Sequence, residues 1–309
     1  MTKIIESSCK QFFTRRDFLK GAALGTLGVA LGLKHADAST TAGKKMVPFA
    51  AEKPETRVVL VRREDVIDAN DGIKGKVVGE MIDTAMLELT GEKEIEKAWK
   101  HYLKPDDTVG IKVTRCSWMR IHTDQAVIDA ISRRLVDIAI AKDRILVDDA
   151  GMPLDKCSVL LNVPSVKVHT LTGIAAALKN YINFSSNPSA YHYAGSANLG
   201  EIWNFPQVKG KTRLIIVDLL RPYFGPGPQI NPLHRWNYHG ILVGTDPAAI
   251  DTLCLSICQA KRNLFKGEEW LITPPAQCIT AADKKYGLGT SDPGKIKLTR
   301  IGWDKDILI

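Results

Sequence analysis

The chain has no apolar run long enough to cross a bilayer as a helix. Its longest, Gly21–Leu33, holds thirteen residues, where about 20 are needed. C-x-x-C pairs are also missing, which removes the usual spacing of structural zinc sites and iron–sulfur clusters, so no iron–sulfur cluster is expected. Neither H-E-x-x-H nor G-x-S-x-G occurs, so metalloprotease and serine-hydrolase readings lack their motifs. FGPGPQ (Phe224–Gln229) has two glycines, but not the strand–turn–helix setting of a dinucleotide fingerprint or the Gly-Lys-Ser ending of a P-loop. It reads as a rigid turn beside a site. Long basic runs and aromatic-interleaved basic stripes are absent as well, which argues against nucleic acid despite a net charge of +8. Part of that charge belongs to residues 1–38; without them 36 basic side chains face 31 acidic ones, or +5.

What remains is ordinary globular material, 45% hydrophobic and 25% charged over 309 residues, enough to bury a sizeable core. The front of the chain reads TRRDFLKGAALGTLGVALGLKHADAST. Arg15 and Arg16 precede Phe18-Leu19-Lys20, the short apolar run follows, and Ala36-Asp37-Ala38 has the small-x-small form of a signal-peptidase site. T-R-R-x-F-L-K resembles a twin-arginine export signal. That resemblance implies a leader over residues 1–38, the twin-arginine translocation machinery as a partner, passage of a folded chain to the periplasm, and no transmembrane anchor after cleavage. Residues 39–56 read as a linker. Cys9 goes with the leader; Cys116, Cys157, Cys254, Cys258 and Cys278 remain, an odd number that cannot pair completely. Buried structural thiols are the expectation.

From residue 57 to residue 309, β-branched runs alternate with helical spacing. The expected strands are Arg57–Arg62, Asp107–Val113, Arg144–Val147, Ser158–Val163, Arg213–Leu219, Gly240–Val243 and Lys295–Ile301. The expected helices are Val77–Leu89, Asp124–Ala141, Ile174–Phe184, Pro247–Gln259 and Ala276–Tyr286. Repeated strand–helix–strand units predict a single α/β domain whose mostly parallel or mixed sheet is covered by helices. Residues 185–211 and 221–239 are too long for structureless loops. Rich in Tyr, Trp, His, Asn, Pro and Gly, they read as ordered covers over a site.

In such a sheet, ligands bind outside the carboxyl ends of the strands. Lys112 and Arg115, Asp148 and Asp149, Lys167 and His169, Asp218 and Arg221, and Asp246 all stand at strand ends. VPSVKVHTLTGIAAALKN carries the most information. Lys167 and His169, two apart in extended chain, face one side. Thr172 or Thr170 is placed to cap the expected helix, and Lys179, seven residues beyond Thr172, falls about 20° from it on a 3.6-residue helix. Ammonium, imidazole, hydroxyl and amide groups would then meet one phosphate or carboxylate. Asp246-Pro247 suits a helix start, and Asp251 is a carboxylate inside an apolar helix that needs a partner.

DTVGIKV, NVPSVKVHTLTGIAAALKN, FGPGPQ, GTDPAAID and AADKKYGLG together resemble the domain of unknown function 362 family, over roughly residues 57–303. The resemblance implies one α/β domain and lends weight to Lys112, Asn162, Lys167, His169, Thr172, Lys179, Asn180, Asp246 and Asp251. Thr114 stands where the family pattern has asparagine. Two functions are expected to compete. One is an exported enzyme on a small anionic ligand, with His169, Lys167 and Asp251 catalytic and Lys112, Asn162, Thr172, Lys179, Asn180 and Asp246 binding. The other is a non-catalytic carrier of a metal ion or an anionic cofactor in the cell envelope.

Overall fold

The computed structural model describes residues 56–116, 121–227 and 230–309. The leader, the linker up to residue 55 and the last two residues of the FGPGPQ turn lie outside the described residues. Those described after the linker fall in one unit, Lys53–Ile309.

Eleven strands and seven helices are described. The strands are β1 (Thr56–Arg62), β2 (Val109–Val113), β3 (Arg115–Cys116), β4 (Ile121–His122), β5 (Ile145–Asp148), β6 (Val159–Val163), β7 (Ser165–His169), β8 (Gly173–Ala175), β9 (Thr212–Tyr223), β10 (Gly240–Gly244) and β11 (Ile296–Gly302). The helices are α1 (Gly75–Thr90), α2 (Ile95–Lys100), α3 (Gln125–Asp137), α4 (Ala177–Asn180), α5 (Leu199–Trp203), α6 (Pro247–Lys266) and α7 (Gln277–Lys284). Nine strands form one mixed sheet in the order β11-β1-β10-β9-β6-β2-β5, with β7 on β9 and β8 on β7. Every strand of it runs the same way except β10 and β8.

The period-2 alternation of the strands builds two cores. Val58, Leu60, Ile215, Val217 and Leu242 face one, which α6 and α7 cover. Val59, Val61, Leu214, Ile216 and Val243 face the other, which α1 and α3 cover. The expected fold class is therefore the observed one. Cys157, Cys254, Cys258 and Cys278 are free and buried, as expected of packing thiols. No helix among the described residues is long and apolar enough to cross a membrane.

Two features place the site. Pro164 interrupts what would be a single strand, so β6 pairs with the first part of β9 and β7 with its second part. Beyond Pro164, β7 therefore runs on past the end of β2. Secondly, the expected helix over Ile174–Phe184 does not form as one element. Gly173, at φ +76°, turns the chain back, β8 pairs with β7 through Lys167–Ala175 and His169–Gly173, and only Ala177–Asn180 is helical. The run Ile174–Leu178 is buried throughout, so its apolar residues satisfy a short strand and a short turn as readily as a helix. Elsewhere β9 extends to Tyr223 and α6 to Lys266, beyond the expected ends.

Candidate functional site

The carboxyl ends of β2, β5 and β6 meet the start of β7 around a half-enclosed cavity of about 290 Å³. Its floor is a hydrogen-bonded network. Lys112 and Asn162 are register partners on β2 and β6, both wholly buried. Lys112 Nζ donates to Asp149 Oδ1 at 2.6 Å and to the Val113 carbonyl at 3.0 Å. Asn180, on α4, donates to the Lys112 carbonyl (2.9 Å) and to Asn162 Oδ1 (2.7 Å), and accepts from Thr114 Oγ1 (3.0 Å). Asn162 Nδ2 donates to the Ala177 carbonyl at 2.9 Å. Asp149 also accepts from Asn183 Nδ2 (2.8 Å) and the Arg115 amide (2.8 Å).

Burial holds the Lys112 ammonium down at about 8, against the pull of Asp149. Burial also works against the Asp149 charge, but Lys112 and the Asn183 and Arg115 donors outweigh it, leaving that carboxyl below its ordinary value. Both partners are therefore charged at neutral pH, and the pair is complete.

Lys167 and His169 rise from β7 as one wall, and Lys179 stands on α4. Pro188 and His192, from the first long cover segment, close the top. His169 and His192 stack at 5.5 Å between ring centroids, 17° from parallel. Burial, then Lys179, His192 and Lys167, push the His169 ring down to about 2; burial and Lys179 bring His192 to about 4. Both imidazoles are neutral at pH 7. Their protons can be assigned from their neighbours. The Leu171 amide donates to His169 Nδ1 at 3.2 Å, so His169 carries its proton on Nε2. His192 Nε2 lies 3.0 Å from Lys179 Nζ, and an ammonium only donates, so His192 Nε2 accepts. The neutral His169 ring thus offers an N–H, suited to hold an oxygen by a hydrogen bond rather than to take a proton.

The expected site residues divide into three groups. Lys167, His169, Lys179 and Asn180 line the cavity; Lys112 and Asn162 lie directly beneath it, braced by Asn180. Thr172, Asp246 and Asp251 are elsewhere. Thr172 caps no helix: its hydroxyl donates to the Ile174 carbonyl at 2.8 Å inside the β7–β8 turn, and the expected alignment with Lys179 is lost with the helix. Asp246 is the N-cap of α6, accepting from the Ala249 amide (2.8 Å), the Thr290 amide (2.8 Å) and Thr56 Oγ1 (3.1 Å), a structural role in place of the expected ligand contact. Asp251 is fully buried and accepts from the amides of Ala177 (2.7 Å) and Leu178 (3.1 Å). It starts the α4 turn and acts on the site only through it. Burial raises its carboxyl to about 7.

Arg115, Asp149, Asn183 and His192 also belong to the site. Arg115 and Asp149 carried the strand-end signal; Asn183 and His192 carried none beyond membership of a polar segment. The described residues of the second cover segment do not line this cavity. Phe224 of its Gly-Pro turn is buried against His234, Trp236 and Phe265. Among the described residues, no group of three or more His, Cys, Asp and Glu is placed to hold a metal ion.

Fold and cavity define an α/β protein with a polar pocket at the carboxyl ends of its parallel strands. Residues 116–256 match the family described as Domain of unknown function (DUF362). No curated protein and no solved structure matches it.

Proposed function

We propose that this is an exported enzyme acting on a small anionic substrate, a carboxylate or a phosphate, held in the cavity. One observation carries the reading: Lys167 and Lys179 line a half-enclosed pocket whose one acidic lining residue among those described, Asp149, is already matched by Lys112, while the lining Arg115 stands 3.8 Å from Asp148. Such an excess of positive charge, walled from solvent, favours an anion. Lys167 and Lys179 would hold it, and His169 Nε2–H would hydrogen-bond one of its oxygens and stabilise charge developing there. Lys112, Asn162 and Asn180 would keep the floor fixed. Export rests on the Arg15-Arg16 leader, with the periplasm as destination.

The test is calorimetry with inorganic phosphate and with acetate, beside NMR titration of His169. An anion between the ammonium groups offsets the part of the depression that Lys179 and Lys167 add to that of burial, so the His169 pKa is expected to rise on binding. No heat with either probe and an unmoved His169 would sink the reading. Mass spectrometry of ligand retained by protein from its native compartment then supplies a substrate for turnover assays. Unchanged turnover in His169→Ala would remove its catalytic role, and absence of turnover of the retained ligand by the wild type would favour a carrier.

A further inference from the structure

We propose that Ser165 binds ligand. Its hydroxyl, at the inner end of the cavity, engages a second acid group of a molecule whose first sits with Lys167, Lys179 and His169, so the ligand is a small diacid. This deepens the anion reading above and rests on it.

Strand β7 presents Ser165, Lys167 and His169 on one face, since alternate residues point the same way. All three line the cavity, while Val166 and Val168 between them are in the core. Depth changes along the row: Ser165 and Lys167 are 6% and 7% exposed, and His169 at the far end is half-buried. At about 3.3 Å per residue, four residues cover about 13 Å of strand. One phosphate or carboxylate is too small to touch both ends of that row.

The Ser165 backbone is tied down, its amide donating to Thr114 Oγ1 at 3.2 Å and the residue pairing with Asp218 on β9. Its Oγ, by contrast, has no hydrogen-bond partner in the protein. Buried hydroxyls are nearly always partnered. An alanine here would pack without leaving a polar atom unmatched, so the hydroxyl is explained by something that enters the cavity. Arg115, next in the chain to the Thr114 that holds Ser165, lines the same cavity and, 3.8 Å from the half-buried Asp148, is a cation that an entering acid group can share on that side. Lys179 and His192 serve the other.

Calorimetry on the full chain with acetate, phosphate, malonate, succinate and glutarate tests this in wild type and Ser165→Ala. We expect one dicarboxylate to bind wild type about tenfold tighter than acetate, the worth of one hydrogen bond to a charged group. Ser165→Ala should lose that preference, keep its acetate and phosphate affinities, and unfold at the same or a higher temperature. Should its unfolding midpoint fall instead, Ser165→Cys, close in volume but a weak donor, is judged by the same criterion. Equal dicarboxylate binding by variant and wild type overturns the role of Ser165, as does wild-type binding of acetate as tight as any dicarboxylate. Absence of binding by every probe to wild type is a different result, and overturns the anion reading itself.

Discussion

Lys112 shows what a buried charge does at this site. It is wholly buried, touches no ligand-facing surface, and spends its donors on Asp149, Val113 and Asn180. Removing one partner of such a pair strands the other charge, at a cost of about 3–5 kcal/mol. Lys112→Met is therefore expected to lower stability by that order in urea unfolding, and adding Asp149→Asn, which removes the stranded charge, to recover most of it. His192 is a different case. Its Nε2 accepts from Lys179, and Pro188 takes its other proton. His192→Ala leaves Lys179 charged but less well placed. We expect phosphate affinity to weaken by about tenfold, the worth of one charged hydrogen bond, with little change in the unfolding midpoint. A large loss of stability with unchanged affinity would contradict this assignment.

The β7–β8 hairpin and the α4 turn carry most of the site, and Gly173 is the hinge between strand and return. A Cβ there would meet the Pro274 carbonyl oxygen at 2.6 Å and the Ala276 amide nitrogen at 2.9 Å, at a positive φ that alanine adopts with strain. Gly173→Ala is expected to cost about 1–3 kcal/mol and to weaken phosphate binding as Lys167 and His169 lose their shared register. Unfolding and calorimetry on one sample check both. The same segment marks the limit of what was legible in the sequence. Strand ends carrying Lys167 and His169 were readable because the carboxyl-end rule needs only order and polarity. The hairpin was not, because Ile174–Leu178 is apolar at every position and has no period to separate strand from helix. Thr172 and Asp246 were misplaced for a related reason: a hydroxyl or carboxylate suited to a backbone amide looks the same in sequence as one suited to a ligand. Asp251 did need a partner, but its partner is the backbone of a turn more than 70 residues earlier. His192 reaches the site only because its cover segment folds over it.

Across the molecule, shifted groups of opposite sign oppose one another. His169 and His192 are held at about 2 and 4, below the ordinary 6.5. The unfolded chain therefore binds those protons first, and their contribution to stability is lost as pH falls below 6.5. Asp251 and Asp218 are raised by burial to about 7 and 6. The folded chain binds those protons first, and stability is gained as pH falls toward 4. Between pH 4 and 6 these four groups cancel, and among those shifted less the lowered His234 and His239 are opposed by the raised Asp246. Below about 4 only His169 and the lowered carboxyls, Asp149 among them, still act, all unfavourably. The unfolding midpoint is expected to be nearly flat from pH 4 to 6 and to fall below 4. In Asp251→Asn the imidazoles lose a counterweight, and the midpoint should rise with pH across the flat range; a flat profile in that variant would show the balance to be otherwise. The strand order also sets a timetable. β1, the first described strand to leave the ribosome, pairs only with β10 and β11, the last two made. It has no strand neighbour until β10 is made, so closing this sheet depends on contacts far apart in sequence, which slow folding.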